Sequence, residues 1–387
     1  MLKQRATRLE GESAFEILAR ARGLESQGRD IVHLEIGQPD FPTPKHICEA
    51  AAAALMDGKT GYGPSPGLPE LRETIAEHAG KLRGLDFRAD QVIVTPGAKP
   101  ILFYSINSLA GPGDEVIYPD PGFPMYHSLV AHAGAKPVPL PLLEENDFRF
   151  DRDQFRSLCS DRTRLMILNS PGNPTGGVLN RRDLETIAEE AQKHDFIVLS
   201  DEVYIHFSYD APFESIAGIP GMADRTILLD GFSKSYSMTG WRIGYGILPP
   251  NLVETFDLYN VNIVSCVCTF NQYGALEALR GTQEPVHEMV GEFRRRRDYL
   301  VGELNRLPGM SCVLPGGAFY AFPSVRDTGV SSQELANTLL DEAGVATVAG
   351  NSFGPAGDGY LRLSYANSME NLRTAMTRMG EYLGRIV

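Results

Sequence analysis

Cysteine is scarce: five residues, Cys48, Cys159, Cys266, Cys268 and Cys312, odd in number and scattered along the chain. Such a set excludes a disulfide framework and fits a reducing compartment. Positive charge is also short. The 36 Lys and Arg stand against 49 Asp and Glu, a net charge of −13. This excludes a general nucleic-acid backbone binder, and any anionic ligand must be held by a few local cations. No apolar run reaches the roughly 18 to 20 residues that cross a bilayer, so no membrane association is expected. Residues 1–12 alternate charges without an apolar signal core, and a cytoplasmic location is expected. The eight histidines include no HExxH pattern, and His127 and His132 are spaced five apart, off the shared-face spacing of a helical metal pair. No metal is expected. Low-complexity tracts and fixed-period repeats are lacking too.

What is present is an ordinary globular composition, 43% hydrophobic and 22% charged, in 387 residues. At roughly 150 residues per domain, that length gives two or three domains. Between about residues 90 and 250, short aliphatic runs recur at 92–95, 115–118, 164–168, 196–200, 226–230 and 243–247, with helix-like segments between them. Such runs read as strands buried on both faces of a parallel α/β sheet. Residues 180–194 place Leu184, Ile187, Ala188 and Ala191 on one helical face. The flanks differ. A helix is expected over 13–30, ending near Gly28, then a strand at 31–36 and a Pro-rich loop at 38–44. A long charged helix over 284–304 precedes a strand at 319–322, a helix at 332–343 and a strand at 360–365. The expected organisation is an N-terminal arm with the first part of a small domain (1–45), a large domain with a mostly parallel sheet flanked by helices (46–283), and the rest of a smaller α+β domain (284–387).

The chemistry lies in the segments that leave the strands. Residues 92–95 run into Pro96-Gly97-Ala98-Lys99 and a helix start at Pro100. A glycine turn into a helix N-terminus offers free N–H groups and a positive dipole end to a phosphate. Residues 169–176 (NSPGNPTG) require a fixed, tight loop, with Asn173 held extended by the proline after it. Asp201 emerges from a buried strand and wants a cation or donor, whereas Glu202 reads as a salt-bridge residue. Lys234 sits among small hydroxyls in an aromatic and apolar stretch that holds the sole tryptophan, a setting that lowers an amine's pKa. In a parallel sheet these strand ends share one edge. A phosphate cradle, an amide, a carboxylate, a phenol and a lysine there describe a site for pyridoxal phosphate.

With the motifs 169–176, 201–204 (DEVY), 233–244 (SKSYSMTGWRIG) and 360–364 (YLRLS) in order, the sequence resembles the pyridoxal-phosphate-dependent aminotransferases of the class I/II, fold-type I group, which includes prokaryotic aspartate aminotransferases. The likeness runs from about Ser13 to the C-terminus. It implies that Lys234 holds the cofactor covalently and moves the substrate proton, and that Asp201 pairs the pyridine nitrogen. Tyr204 and Asn173 would bond the ring hydroxyl oxygen, and Phe123 would stack on the ring. Gly97, Ala98, Ser233 and Arg242 would bind the phosphate, with Lys99 in the same cofactor-binding turn. Tyr62 resembles a tyrosine that reaches the neighbouring subunit's phosphate, implying a homodimer with shared sites. Arg362 would pair with the substrate α-carboxylate beside the Gly37 backbone.

The implied activity transfers an amino group from an L-amino acid to a 2-oxo acid by ping-pong chemistry. Lys99 stands where some members read a distal carboxylate, slightly favouring aspartate- or glutamate-type substrates. Pro100 and the segment Ser13-Ala14-Phe15 depart from that pattern, and Phe15, Phe123 and Phe353 suit aromatic or aliphatic side chains. The rivals are a C–S β-lyase on the same fold, for which His206 near the DEVY motif leaves room, and a non-enzymatic regulator. Cys266-Val267-Cys268 reads as a core strand face, and residues 294–297 as a solvated, ion-paired helix face.

Overall fold

The structure, a computed structural model, describes residues 9–387. The expectations for residues 1–8 lie outside the described residues. In chain order the strands are β1 (Val32–His33), β2 (Val92–Thr95), β3 (Glu115–Asp120), β4 (Lys136–Leu143), β5 (Arg149–Phe150), β6 (Thr163–Asn169), β7 (Ile197–Asp201), β8 (Thr226–Gly231), β9 (Gly244–Ile247), β10 (Tyr320–Ala321), β11 (Val345–Ala346), β12 (Val348–Ala349) and β13 (Leu361–Ser364).

One sheet has the order β2-β9-β8-β7-β6-β3-β4-β5. Its ladders β4-β3-β6-β7-β8 are parallel, while β9 runs antiparallel to both β2 and β8. All six expected runs form strands, but residues 243–247 belong to the reversed one. The reason is local: the chain from β8 to β9 carries only the 3₁₀ turn Thr239–Trp241, and a parallel return needs a longer crossover, usually a helix. Sequence patterning also missed β4. It has prolines at 137, 139 and 141, which normally argue against a strand. With period two, the three missing N–H groups share one side. β3 pairs along the other, whereas β5 covers only Leu142 and Leu143.

Register brings Asn169 beside Asp201, Asp201 beside Leu229, and Gly231 beside Gly244, which also faces Thr95. The segments after β2, β6, β7 and β8 therefore meet at one edge of the sheet. Outside the sheet, the helix Ser13–Glu25 is shorter than expected, its end turning through Ser26 to Gly28, whose φ is +86°. The helix Glu284–Leu304 has the expected limits, and Ser332–Thr338 continues as a π-type turn, Leu339–Ala343. Parallel pairing of β1 with β11 ties the chain's beginning to its end. A shared core contains Val32 and Leu34 together with Phe293, Leu300, Leu363 and Leu372.

Two sequence expectations change. Cys266 and Cys268 lie at and before a helix start, not on a strand: Cys268 caps Thr269–Arg280 and is exposed, and it is Val267 between them that is buried. Of residues 294–297, Arg294 and Arg295 are exposed, but Arg296 and Arg297 are buried. Arg297 Nη1 reaches Asp210 Oδ2 at 2.5 Å, and Arg296 Nη1 reaches Asp40 Oδ1 at 2.7 Å with Phe41 and Phe293 rings against it. The helical period turns two of four consecutive residues inward.

Glu202 does serve as an ion-pair residue. The wholly buried Arg83 side chain, at the end of the helix Pro69–Arg83, donates to Glu202 Oε2 at 2.6 Å and to Asp230 Oδ2 at 2.9 Å. Ser200 and Ser215 donate to Glu202 Oε1, and Tyr245 to Asp230 Oδ2. One guanidinium thus clamps the ends of β7 and β8. Arg83→Met should lower unfolding free energy by about 3 kcal/mol or more, because it leaves two carboxylates buried without a cation. Urea unfolding followed by Trp241 fluorescence checks this; a loss below about 1 kcal/mol would show that the clamp is not structural.

Candidate active site

At the shared strand edge lies a cavity of about 580 Å³, bordered by residues of the β2, β6, β7 and β8 connections, by the segment after β1, and by β10 and β13. Lys234 enters it from the loop after β8, where hydrogen bonds from Tyr236 N–H to Phe232 O and from Met238 N–H to Ser233 O form tight successive turns. Its Nζ donates to the Gly37 carbonyl at 2.5 Å and stands 6.0 Å from the Tyr204 ring centre. Burial, helped by the charge of Arg362, lowers its pKa to about 8.

Asp201 ends β7 with its carboxylate buried against the cavity. Tyr126 Oη donates to Oδ2 at 2.7 Å, and among the described residues no cation lies within ion-pairing distance of it. Burial is the first cause that pushes its pKa up, to about 6. A buried carboxylate without a cation is costly, a cost that a ligand bringing a positive charge would relieve.

On the opposite side, β13 carries Arg362. Its Nη1 donates to Asn173 Oδ1 at 3.1 Å and its Nη2 to the Glu35 carbonyl, while Nε is buried with no partner among the described residues. The Tyr320 and Phe353 ring centres lie 4.7 and 4.8 Å from its guanidinium. Asn173 is placed by its N–H bond to Asn169 Oδ1 at 2.8 Å, and Tyr204 Oη meets Tyr320 Oη at 2.9 Å. Gly37 is required by contact: a Cβ there would sit 2.0 Å from Tyr320 Oη.

The third wall is the turn after β2. Gly97 has φ +79°, and a Cβ on it would lie 2.3 Å from Arg242 Nη2. Backbone and guanidinium can approach this closely only at glycine. Ala98 caps the helix Lys99–Leu109, whose positive dipole end borders the same cavity as Ser233 and Arg242. Phe123 also lines the cavity, and Lys99 Nζ lies 5.4 Å from its ring centre while pairing with Glu12.

Of the thirteen residues expected in the site, eleven border this cavity; Gly97 shapes it from just behind, and Tyr62 is elsewhere in this chain, 94% exposed. Phe15 borders the cavity, whereas Phe353 lies behind Arg362. His206 is off the cavity, its ring centre 6.2 Å from that of His78. Sequence reasoning missed Tyr126, Asn169, Tyr320 and Glu12. Asn169 was legible as the strand-terminal amide in NSPGNPTG, but the other three depend on contacts between distant segments.

Pyridoxal phosphate fits this set. Asp201 could supply the anion for a protonated ring nitrogen, and Tyr204 and Asn173 could offer polar groups to a ring oxygen. Phe123 could offer a ring face, the Gly97–Lys99 turn with Arg242 a phosphate cradle, and Lys234 an amine for the aldehyde.

The family model for aminotransferase class I and II matches residues 29–379. An aspartate aminotransferase of Pyrococcus abyssi is 45% identical over 359 residues, covering 92% of each chain. An aromatic-amino-acid aminotransferase of Thermococcus litoralis is 43% identical, covering 94% of this chain and 93% of its own. The solved aspartate aminotransferase of Thermus thermophilus with maleate superposes with a TM-score of 0.94 at 37% identity, covering 98% of this chain and 99% of that one. On this extent of match, the chain belongs to the class I and II aminotransferases, as a pyridoxal-phosphate-dependent enzyme.

Proposed function

We propose that the cavity transfers the amino group of an acidic L-amino acid of the aspartate or glutamate type to a 2-oxo acid, with Lys234 as the proton carrier. The observation that carries this reading is the convergence of a buried amine, an unpaired buried carboxylate and a buried guanidinium on one cavity. Bound pyridoxal phosphate supplies an aldehyde to receive the amino group and a protonated ring that withdraws electrons from the substrate Cα–H bond.

Arg362 holds the substrate α-carboxylate in a bidentate grip, its orphan Nε marking unused donor capacity. Asn173 fixes the plane of that guanidinium. Lys234 Nζ, released from the Gly37 carbonyl, would accept the proton of substrate Cα and hold it for return within the cavity. Asp201 keeps a positive charge on the ring nitrogen, with Tyr126 fixing its carboxylate. Tyr204, supported by Tyr320, steadies the ring oxygen. Gly97, Ala98, Ser233 and Arg242 take the phosphate.

The aspartate reading is supported by the relatives named for that amino acid and by Lys99 at the cavity wall. An aromatic side chain is the second reading, favoured by Phe15 and Phe123 on the same wall and by the Thermococcus litoralis relative. His206, off the cavity, lends a β-lyase nothing. Domains of 46–283 for the cofactor, and 1–45 with 284–387 for the small part, accord with the shared core of the chain's two ends. The exposed Tyr62 ring and the exposed Leu258, Val261 and Ile263 support a homodimer in which Tyr62 reaches the neighbouring phosphate. The cysteines, all free, accord with the cytoplasm; among the described residues no helix is long and apolar enough to cross a membrane.

Absorbance of the cofactor-loaded enzyme tests the reading. Aspartate or glutamate should convert the cofactor's aldehyde band to that of its amine form, 2-oxoglutarate should restore it, and alanine and leucine should act more slowly. Absence of any such cycle with all of these and phenylalanine would refute it. A second expectation concerns pH. Because the amine's pKa is lowered from 10.5 to about 8, the uncharged form accumulates as pH rises through about 8. The rate at which apoprotein captures pyridoxal phosphate, followed by stopped-flow absorbance, should rise to that pH and then level off. A rise continuing past about pH 9.5 would show an ordinary lysine.

A further inference from the structure

Four cations border the cavity, Lys99, Lys234, Arg242 and Arg362, and among the described residues only Lys99 has a carboxylate within ion-pairing distance. That carboxylate is Glu12. It precedes the helix Ser13–Glu25 as its cap residue, yet its side chain makes no capping bond and instead crosses to Lys99. The two belong to segments 87 residues apart. The Glu12 side chain is 19% exposed and that of Lys99 53%, so the pair stands at the cavity's mouth, over Phe123 and beside Phe15. The Glu12 carboxylate also acts inward, its negative charge favouring the protonated forms of Lys234, Tyr320 and Arg362.

A transferase that works in two half-reactions passes two different side chains through one pocket. If one is acidic and the other uncharged, the wall that receives them faces a conflict. A bare cation suits the carboxylate but is left uncompensated against an apolar side chain, and a neutral wall fails the carboxylate. With Arg362 holding the α-carboxylate, Lys99 is the cavity cation left for a second one.

We propose that Glu12 is a specificity-determining residue acting as a retractable counter-ion. It pairs Lys99 when the bound side chain is uncharged and yields Lys99 when the substrate brings its own second carboxylate. Glu12 therefore competes with acidic substrates and keeps the pocket open to aromatic and aliphatic ones. The half-exposed position of the pair allows the exchange, since a partly solvated ion pair is weak enough to be displaced. This inference rests on the transaminase reading.

The test uses cofactor-loaded enzyme and two unreactive probes, maleate with two carboxylates and 3-phenylpropionate with one carboxylate and a ring, titrated by the cofactor's absorbance. Glu12→Gln should raise the ratio of maleate to 3-phenylpropionate affinity by roughly threefold or more. Lys99→Ala in the Glu12→Gln background should remove that gain. The kcat/KM ratio of aspartate to phenylalanine should move in the same direction. An unchanged or lowered ratio in Glu12→Gln, or a gain that survives loss of Lys99, would overturn the role of Glu12. If the parent enzyme cycles its absorbance with amino and oxo acids while the ratio stays fixed, only this inference fails. If the parent does not cycle, the functional reading fails first.

Discussion

The structure turns on a carboxylate carried to the end of a buried strand with no cation among the described residues to pair it. Asp201 takes one strong hydrogen bond, from Tyr126, and burial holds its pKa near 6. Such a group is poorly satisfied alone, and in the proposed reading a protonated ring would relieve the cost of burying it. Lys234 is its counterpart. Its amine is buried beside other cations, which makes it easier to deprotonate and hence available as nucleophile and base.

These two opposed shifts need a rigid frame, because the effects that produce them fall off with small displacements. Asp201 adjoins Glu202, and the loop bearing Lys234 begins just after Asp230. Arg83 binds both carboxylates from the end of its helix and so ties the two strand ends together. Arg362 and Gly37 come from the ends of the chain, and the β1–β11 pairing with its shared core brings them opposite that edge. The cavity is therefore assembled from the large sheet on one side and from the joined termini on the other.

Much of this was legible in sequence because strand-end chemistry is local. A glycine turn into a helix, a loop fixed by two prolines and two glycines, and a carboxylate after an apolar run each carry their meaning within a few residues. The direction of β9 was not legible, since a short apolar run has no polarity, and only the missing crossover helix sets it. Tyr126 and Tyr320 carry no local signal of a site role, and only folding brings them within hydrogen-bond reach of Asp201 and Tyr204. The burial of Arg296 and Arg297 escaped because four like charges look solvated, whereas Asp40 and Asp210 supply compensation from distant segments.

The central claim is that Asp201 holds the positive charge on which electron withdrawal depends. The most direct measurement is the single-turnover rate at which aspartate converts the cofactor band in Asp201→Ala enzyme, after its pyridoxal phosphate content has been measured on the same sample. The account predicts retained cofactor and a rate lower by roughly a hundredfold or more, the scale lost when a preorganised electrostatic partner is removed. A variant that binds the cofactor and turns over within about tenfold of the parent would contradict it.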